Sequence, residues 1–286
     1  ASSVYAVTIQ LQQCTGCLVL FNKTTTFPFS RATMHISAEA WIDSKILLDQ
    51  LNVTESMLEI GRIGSAEWNN TDLVITRSAV AGTLQLYNTQ WACNDCRVYI
   101  GNSTLGTLLL KMGRTFGAEI TIAGTTISTL TTTAMINGSR LMIYDSEFLN
   151  LLQFSSAPFT DAVIDIKRSR LRQFYGFHPN NSPRYALYFY YSPLTRTKLS
   201  VSDSFIDSDR HGLYMESHSQ LRDGSVLIVD NSNISGGCTG ASCYYHYDGL
   251  HVYLDGGRLD WHPNSRFTGN GSIYIHSARN ETGFAF

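Results

Sequence analysis

One eight-residue pattern recurs along most of this chain. The stretches "LVITRSAV" from residue 73, "VYIGNSTL" from 98 and "LMIYDSEF" from 141 all read apolar, any, apolar, any, any, small, any, apolar. Related stretches start at residues 51, 120, 164, 199, 227 and 252, and weaker copies start at 34 and 273. The intervals between successive copies are 17 to 35 residues, mostly close to 22. A repeat this short cannot bury its own apolar face, so neighbouring repeats must stack.

The pattern predicts the shape of each repeat. Apolar residues at positions 1 and 3 share one face of a strand, and the third position is mostly Ile or Val, which strands favour. Two residues then turn the chain, and a small residue at position 6 fits a tight inward corner. Leucine-rich repeats have a similar period but need a leucine frame and an asparagine ladder. We therefore predict an all-β protein, a single-stranded parallel β-helix (solenoid) of about ten to eleven rungs.

The repeated rungs resemble those of the right-handed parallel β-helix class, the pectate-lyase-like superfold, over nearly the whole chain. The texture of "LIVDNSNISGG" and "VYIGNSTLG" also resembles, more loosely, the large surface glycoproteins of the trypanosomatid dispersed gene family. That second resemblance implies an extracellular, sequon-rich protein.

The repeat boundaries suggest three segments. Residues 34–280 form the β-helix, 1–33 an N-terminal strand with a cap or assembly role, and 281–286 a C-terminal tail. No amphipathic capping helix is visible at either end, so either the segment is cut from a longer array or the solenoid ends stack head-to-tail on copies of the same chain. We adopt the second explanation as the hypothesis. Such contacts between different surfaces build filaments.

Glycosylation sequons are unusually frequent. Nine Asn-x-Ser/Thr triplets occur, whereas this composition predicts about three by chance. They indicate a secreted protein that carries covalent N-glycans, although Asn, Ser and Thr also mark turns. The candidate asparagines are Asn22, Asn52, Asn69, Asn102, Asn137, Asn180, Asn233, Asn270 and Asn280.

The cysteines form three local pairs, which in a secreted protein favours disulfides that fix loops. A zinc site is disfavoured because the two C-x-x-C pairs lie far apart in the sequence. The expected pairs are Cys14 with Cys17, Cys93 with Cys96, and Cys238 with Cys243.

The charge balance limits the partners. With a formal net charge of −2, no basic field exists to attract nucleic acid. No apolar run is long enough to span a membrane. The histidines show no metal-ligand spacing, and we expect neither metal nor cofactor.

Two stretches, "YALYFYY" and "CYYHYDG", are conspicuously aromatic. Aromatic surfaces suit subunit contacts or stacking against extracellular glycans, but alternate aromatics could equally fill a wider rung. This candidate interaction loop comprises Tyr185, Tyr188, Phe189, Tyr190, Tyr191, Tyr244, Tyr245 and Tyr247.

These features predict an extracellular, N-glycosylated structural protein, a subunit of a surface filament or glycoprotein coat, with no enzymatic activity. A glycan-binding adhesin is the first alternative, and a polysaccharide lyase or glycosidase the second. The densest acidic stretch, "VSDSFIDSDRHG" with Asp203, Asp207, Asp209, Arg210 and His211, could supply acids and a base, but we favour a polar turn between rungs, where Asp and Ser are expected.

Overall fold

The computed structural model describes residues 6–22, 26–27, 33–53, 57–61, 67–173, 185–237, 249–268, 270–277 and 284–285. Within these ranges the chain is all-β and contains no helix. Parallel strands stack as a β-solenoid, as the repeat predicts. The chain divides into two compact units, Ala1–Met142 and Ile143–Phe286.

In unit 1, each coil contributes one strand to a single-strand ladder and the rest of its strands to a second, multi-strand ladder. The single-strand ladder consists of β2, β5, β9, β11 and β13. The strands are β1 (Ala6–Thr15), β2 (Leu18–Asn22), β3 (Thr26–Phe27), β4 (Thr33–Ile42), β5 (Lys45–Asp49), β6 (Asn52–Val53), β7 (Met57–Ile60), β8 (Glu67–Asn69), β9 (Asp72–Thr76), β10 (Ala79–Asn94), β11 (Arg97–Gly101), β12 (Thr104–Phe116), β13 (Glu119–Ala123), β14 (Thr126–Thr132) and β15 (Met135–Asn137). The strand β16 (Arg140–Tyr144) crosses the boundary between the units.

Unit 2 likewise has one single-strand ladder and one multi-strand ladder. Its single-strand ladder consists of β19, β23, β27, β30 and β33. The strands are β17 (Glu147–Ser155), β18 (Phe159–Thr160), β19 (Val163–Lys167), β20 (Arg170–Gln173), β21 (Tyr185–Tyr190), β22 (Leu194–Thr195), β23 (Lys198–Ser202), β24 (Phe205–Ser208), β25 (His211–Met215), β26 (Leu221–Arg222), β27 (Val226–Asp230), β28 (Asn233–Ser235), β29 (Gly249–Asp255), β30 (Arg258–Trp261), β31 (Arg266–Thr268), β32 (Ser272–Ser277) and β33 (Phe284–Ala285).

The repeat copies in the middle of the chain occupy equivalent places in successive coils. Leu73 pairs with Val98, and Val98 with Ile120, so position 1 stacks on position 1. In unit 2, Leu199 pairs with Leu227 in the same way. Like therefore stacks on like, and these side chains are at most 2% exposed.

Four of the copies predicted from the sequence lie in the wrong ladder. The copies at 34, 51, 252 and 273 lie in β4, β6, β29 and β32, which belong to the multi-strand ladder. The true equivalents of Leu73 are Ile46 in the preceding coil and, in unit 2, Leu259, which pairs with Leu227. Strands of both ladders alternate apolar and polar residues, so an alternating pattern alone cannot separate them.

The corner after each single-strand-ladder strand explains positions 5 and 6. Position 5 adopts positive φ, as at Asn102 (49°) and Asp203 (51°), a conformation that Asn, Asp and Gly tolerate best. At position 6 a buried hydroxyl bridges coils: Ser204 Oγ donates to the Ser202 carbonyl (2.7 Å) and accepts from the Ser169 amide (3.1 Å). Small hydroxyl side chains therefore satisfy backbone groups that the corner leaves unpaired.

Both terminal segments contain solenoid strands. In the N-terminal segment 1–33, β1 pairs in register with β4, and β2 pairs with β5. In the C-terminal tail 281–286, β33 pairs with β30.

The part of the chain that the structure describes has no helix long and apolar enough to cross a membrane.

Candidate functional site

The described sequon asparagines all reach the surface. Asn102 and Asn270 are exposed, whereas the side chains of Asn52, Asn69, Asn137 and Asn233 are partly exposed. Asn22 lies in β2, but its side chain, together with Asn180 and Asn280, falls outside the described residues.

In two of these sequons the Ser or Thr has a structural role of its own. Asn69 and Asn137 each precede a residue with positive φ and then a buried hydroxyl, Thr71 or Ser139. Each hydroxyl donates to the carbonyl of its own sequon asparagine, at 3.0 and 2.8 Å respectively. The corner therefore explains the Ser or Thr of each triplet without glycosylation, whereas it does not require the asparagine.

The cysteine pairs differ from one another. Cys93 and Cys96 are joined by a disulfide. Cys14 and Cys17 are free thiols, so the expected bond between them is absent. Burial, together with a hydrogen bond that the Cys14 thiol donates to Cys17, raises the pKa of Cys14 to about 12, which keeps this thiol in its unreactive protonated form. Cys238 and Cys243 lie outside the described residues.

The aromatic run of β21 alternates between core and surface. Phe189 is fully buried and stacks on Phe154 at 4.7 Å between ring centroids, so including it in an interaction loop was wrong. Its neighbours point outward, with Tyr190 37% and Tyr191 45% exposed. Tyr244, Tyr245 and Tyr247 lie outside the described residues.

The rings of Tyr188 and Tyr190 contact each other and belong to a ladder of Tyr and His rings that runs along unit 2. Register places Tyr188, Tyr214, His251 and Tyr274 side by side on β21, β25, β29 and β32. Rings stack within and beside this row, at 4.5 Å between the centroids of His251 and Tyr274, 4.1 Å between Tyr185 and Tyr188, and 4.1 Å between Tyr253 and His276.

Stacking within the ladder limits its use as a sugar platform. A ring face that already packs on a neighbouring ring is not available to a ligand, so the interior of the ladder stabilises the stack of coils. Burial lowers the pKa of His211 to about 3, helped by the nearby His251 and Arg210. His211 is therefore a neutral packing element at physiological pH. Tyr190, Tyr191 and His218 remain at the exposed edge, where Tyr191 stacks on His218 at 4.6 Å.

Two carboxylates of the acidic stretch 201–212 accept hydrogen bonds from the following coil. Asp203 occupies an exposed corner and accepts a hydrogen bond from Asn231 (2.7 Å). Asp207 lies on β24 and accepts from the Ser235 hydroxyl. Among the described residues, no group of three or more His, Cys, Asp and Glu side chains is arranged to hold a metal ion.

A groove of about 390 Å³ opens at the corner of unit 2 that follows β19, β23 and β27. Its lining residues come from positions 5 to 7 of successive coils, and three of them are arginines. They are Arg168, Ser169, Arg170, Asp203, Ser204, Phe205, Asn231, Ser232, Asn233, Asn264 and Arg266.

The arginines of this groove are held in different ways. Arg168 forms a two-pronged ion pair with Asp145 (2.7 and 2.9 Å), and these hydrogen bonds hold the pKa of Asp145 below its usual range. Arg170 places its guanidinium carbon 5.2 Å from the centroid of the Phe205 ring. Arg266 lies beside Asn233 on the adjacent strand. Three arginines against one lining aspartate make the groove basic, although the whole chain carries a net charge of −2.

Sequence reasoning missed this groove, although the signal is present. If the copies are aligned on the true register, position 7 reads Arg170, Phe205, Asn233 and Arg266. The misplaced copy at 252 hid the last member of this column.

No protein-family model matches the chain, and no curated protein sequence matches it.

Proposed function

We propose that this chain is an extracellular, N-glycosylated structural protein, a β-solenoid subunit of a surface filament or glycoprotein coat. The observation that carries the proposal is the outward placement of the described sequons. Asn52, Asn102 and Asn233 share their coils with the buried core residues Val53, Ile100 and Ile234. Glycans attached at these asparagines would cover the solenoid without disturbing its core.

Composition supports the same proposal. Only 15% of residues are charged, which is low for a soluble domain, so a glycan coat would supply the missing solubility. The looser resemblance to the trypanosomatid dispersed gene family agrees with this reading and stays a prediction.

Assembly is the second element of the proposal. Parallel coils add in register, so a further coil fits wherever a strand edge and its apolar row lie open. Ile273 on β32 is 36% exposed and pairs with the fully buried Leu250. A strand from a second copy would cover this row, which gives head-to-tail polymers.

The test of glycosylation is site-resolved mass spectrometry of glycopeptides from the protein isolated from its native source. Asn52, Asn102, Asn233 and Asn270 should carry N-glycans. Unmodified asparagine at all of these positions would overturn the proposal.

An adhesin is the second candidate, favoured by the exposed cluster of Tyr190, Tyr191 and His218 at the edge of the aromatic ladder. Loss of binding to an immobilised glycan array in a Tyr190→Ala/Tyr191→Ala variant, with thermal stability retained, would support it. The proposal includes no catalytic activity. Cleavage of an acidic polysaccharide that disappears in Asp203→Asn/Asp207→Asn would instead favour the lyase or glycosidase alternative.

A further inference from the structure

The groove of unit 2 contains a sequon asparagine beside an aromatic ring. Arg170, Phe205, Asn233 and Arg266 are neighbours in this order on β20, β24, β28 and β31. Adjacent strands lie ~4.8 Å apart, so the backbone of Asn233 lies one strand spacing from that of Phe205.

We propose that the groove holds the first N-acetylglucosamine of a glycan on Asn233, and that Phe205 is the platform on which this sugar packs. The inference rests on the proposed function, because it requires Asn233 to be glycosylated. It adds a defined site in which a covalent sugar becomes part of the folded structure.

The hydrogen bonds of Asn233 favour this direction. The Asn233 amide oxygen accepts from the Thr268 hydroxyl at 3.0 Å, and Thr268 lies on β31. The amide nitrogen, to which a glycan is attached, therefore lies on the other side of the amide group from that hydroxyl, and Phe205 is the register neighbour of Asn233 on the strand opposite β31.

Arg170 occupies one face of the Phe205 ring, so the proposal places the sugar on the other face. Arg170 covers the ring from the preceding coil, 5.2 Å from its centroid. Asn233 approaches from the following coil. A sugar ring on Asn233 would lie on that opposite face, where its C–H groups contact the negative face of the aromatic ring.

The surrounding groove provides volume and donors. Its volume of about 390 Å³ lies within the roughly 300–1,000 Å³ typical of small-molecule sites. Arg170 and Arg266 form no ion pair with any residue in the described part of the chain. Their guanidinium groups can donate to the hydroxyl and acetamide oxygens of the sugar.

Asn102 is a comparison site at position 5, where its neighbours in the coils before and after it are Arg77 and Gly124, neither of which has an aromatic ring. Its exposed side chain projects from a corner. A glycan at Asn102 should move freely in solvent.

The experiment uses the full-length secreted glycoprotein and a two-by-two set of variants, Phe205→Leu and Asn233→Gln alone and combined. We expect Asn233→Gln to lower Tm by about 2 °C when Phe205 is present, and by clearly less in the Phe205→Leu background. Trimming all glycans to one N-acetylglucosamine should leave Tm unchanged. Asn102→Gln should have no effect that depends on Phe205.

A second readout is independent of stability. In the trimmed glycoprotein, ring current from Phe205 should shift the N-acetyl methyl proton resonance of the Asn233 sugar upfield of that of the Asn102 sugar. An occupied Asn233 whose methyl resonance matches that of Asn102 overturns this inference and leaves glycosylation intact. Occupancy of other sequons without Asn233 also overturns only the inference, whereas unmodified sequons throughout overturn the proposed function itself.

Discussion

Replacing Ser204 with alanine tests whether the buried hydroxyls at the corners hold the coils together. Ser204 is 5% exposed. Its hydroxyl accepts from the Ser169 amide at 3.1 Å and donates to the Ser202 carbonyl at 2.7 Å. Without it, the Ser202 carbonyl keeps the Arg168 amide as a partner, at 3.0 Å. The Ser169 amide loses the hydrogen bond that Ser204 provides.

The expected cost follows from that single orphaned donor. A buried N–H left without a partner costs about 1–3 kcal/mol, so we expect Ser204→Ala to lower the free energy of unfolding by ~2 kcal/mol. An unfolding entropy of about 2.1 cal/mol/K per residue, applied to 286 residues, converts this to a fall in Tm of about 3 °C.

The assay is thermal and urea unfolding followed by circular dichroism. Ser202→Ala is the matched control because Ser202, two residues earlier, is only half-buried. Ser204→Thr restores a hydroxyl, as Thr125 does at the equivalent corner of unit 1, and should recover most of the loss. Equal stability of the Ser204→Ala and Ser202→Ala variants would refute the role assigned to the hydroxyl.

Three further perturbations probe other parts of unit 2. Burial lowers the pKa of His211 to about 3, so the folded protein favours the neutral imidazole. The stability that the neutral side chain contributes is complete above the unfolded pKa near 6.5 and is lost as pH falls toward 3. Unfolding free energy should therefore fall by up to ~1.4 kcal/mol per pH unit below 6.5, and His211→Phe should remove this part of the slope between pH 6.5 and 5 in urea titrations. Phe154→Ala removes a fully buried ring that stacks on Phe189 and should lower the free energy of unfolding by about 3–5 kcal/mol. A loss below ~1 kcal/mol in calorimetry would mean that the core is not packed there. Gly249 has φ +146°, and an added Cβ would lie 1.9 Å from the Ser272 carbonyl oxygen. Gly249→Ala should therefore sharply reduce the yield of folded protein. Gly224→Ala is the control and should reduce the yield less, because the new methyl group has open space around it.

The fold was predictable because each coil repeats one local solution. Apolar positions 1 and 3, a left-handed residue at position 5 and a hydroxyl at position 6 each have a direct physical role, as at Leu227, Val229, Asn231 and Ser232. The register toward the chain ends was not predictable from the pattern. Coils there have insertions, such as the extra residue that separates Trp261 from Ser265 relative to Val229 and Ser232.

The site was less predictable than the fold, because it depends on neighbours between coils. The alternation in "YALYFYY" puts Phe189 inside and Tyr190 outside, and no composition argument separates the two. The groove around Asn233 arises only when position 7 of four coils is aligned. Those residues lie 28 to 35 positions apart in the sequence.

Cryo-electron microscopy of the unreduced native material tests the central proposal most directly. We expect solenoids stacked end to end in regular filaments or an ordered coat, with branched density projecting from Asn52, Asn102, Asn233 and Asn270. Single, unassembled particles with bare asparagine side chains at these four positions, at all protein concentrations, would contradict it.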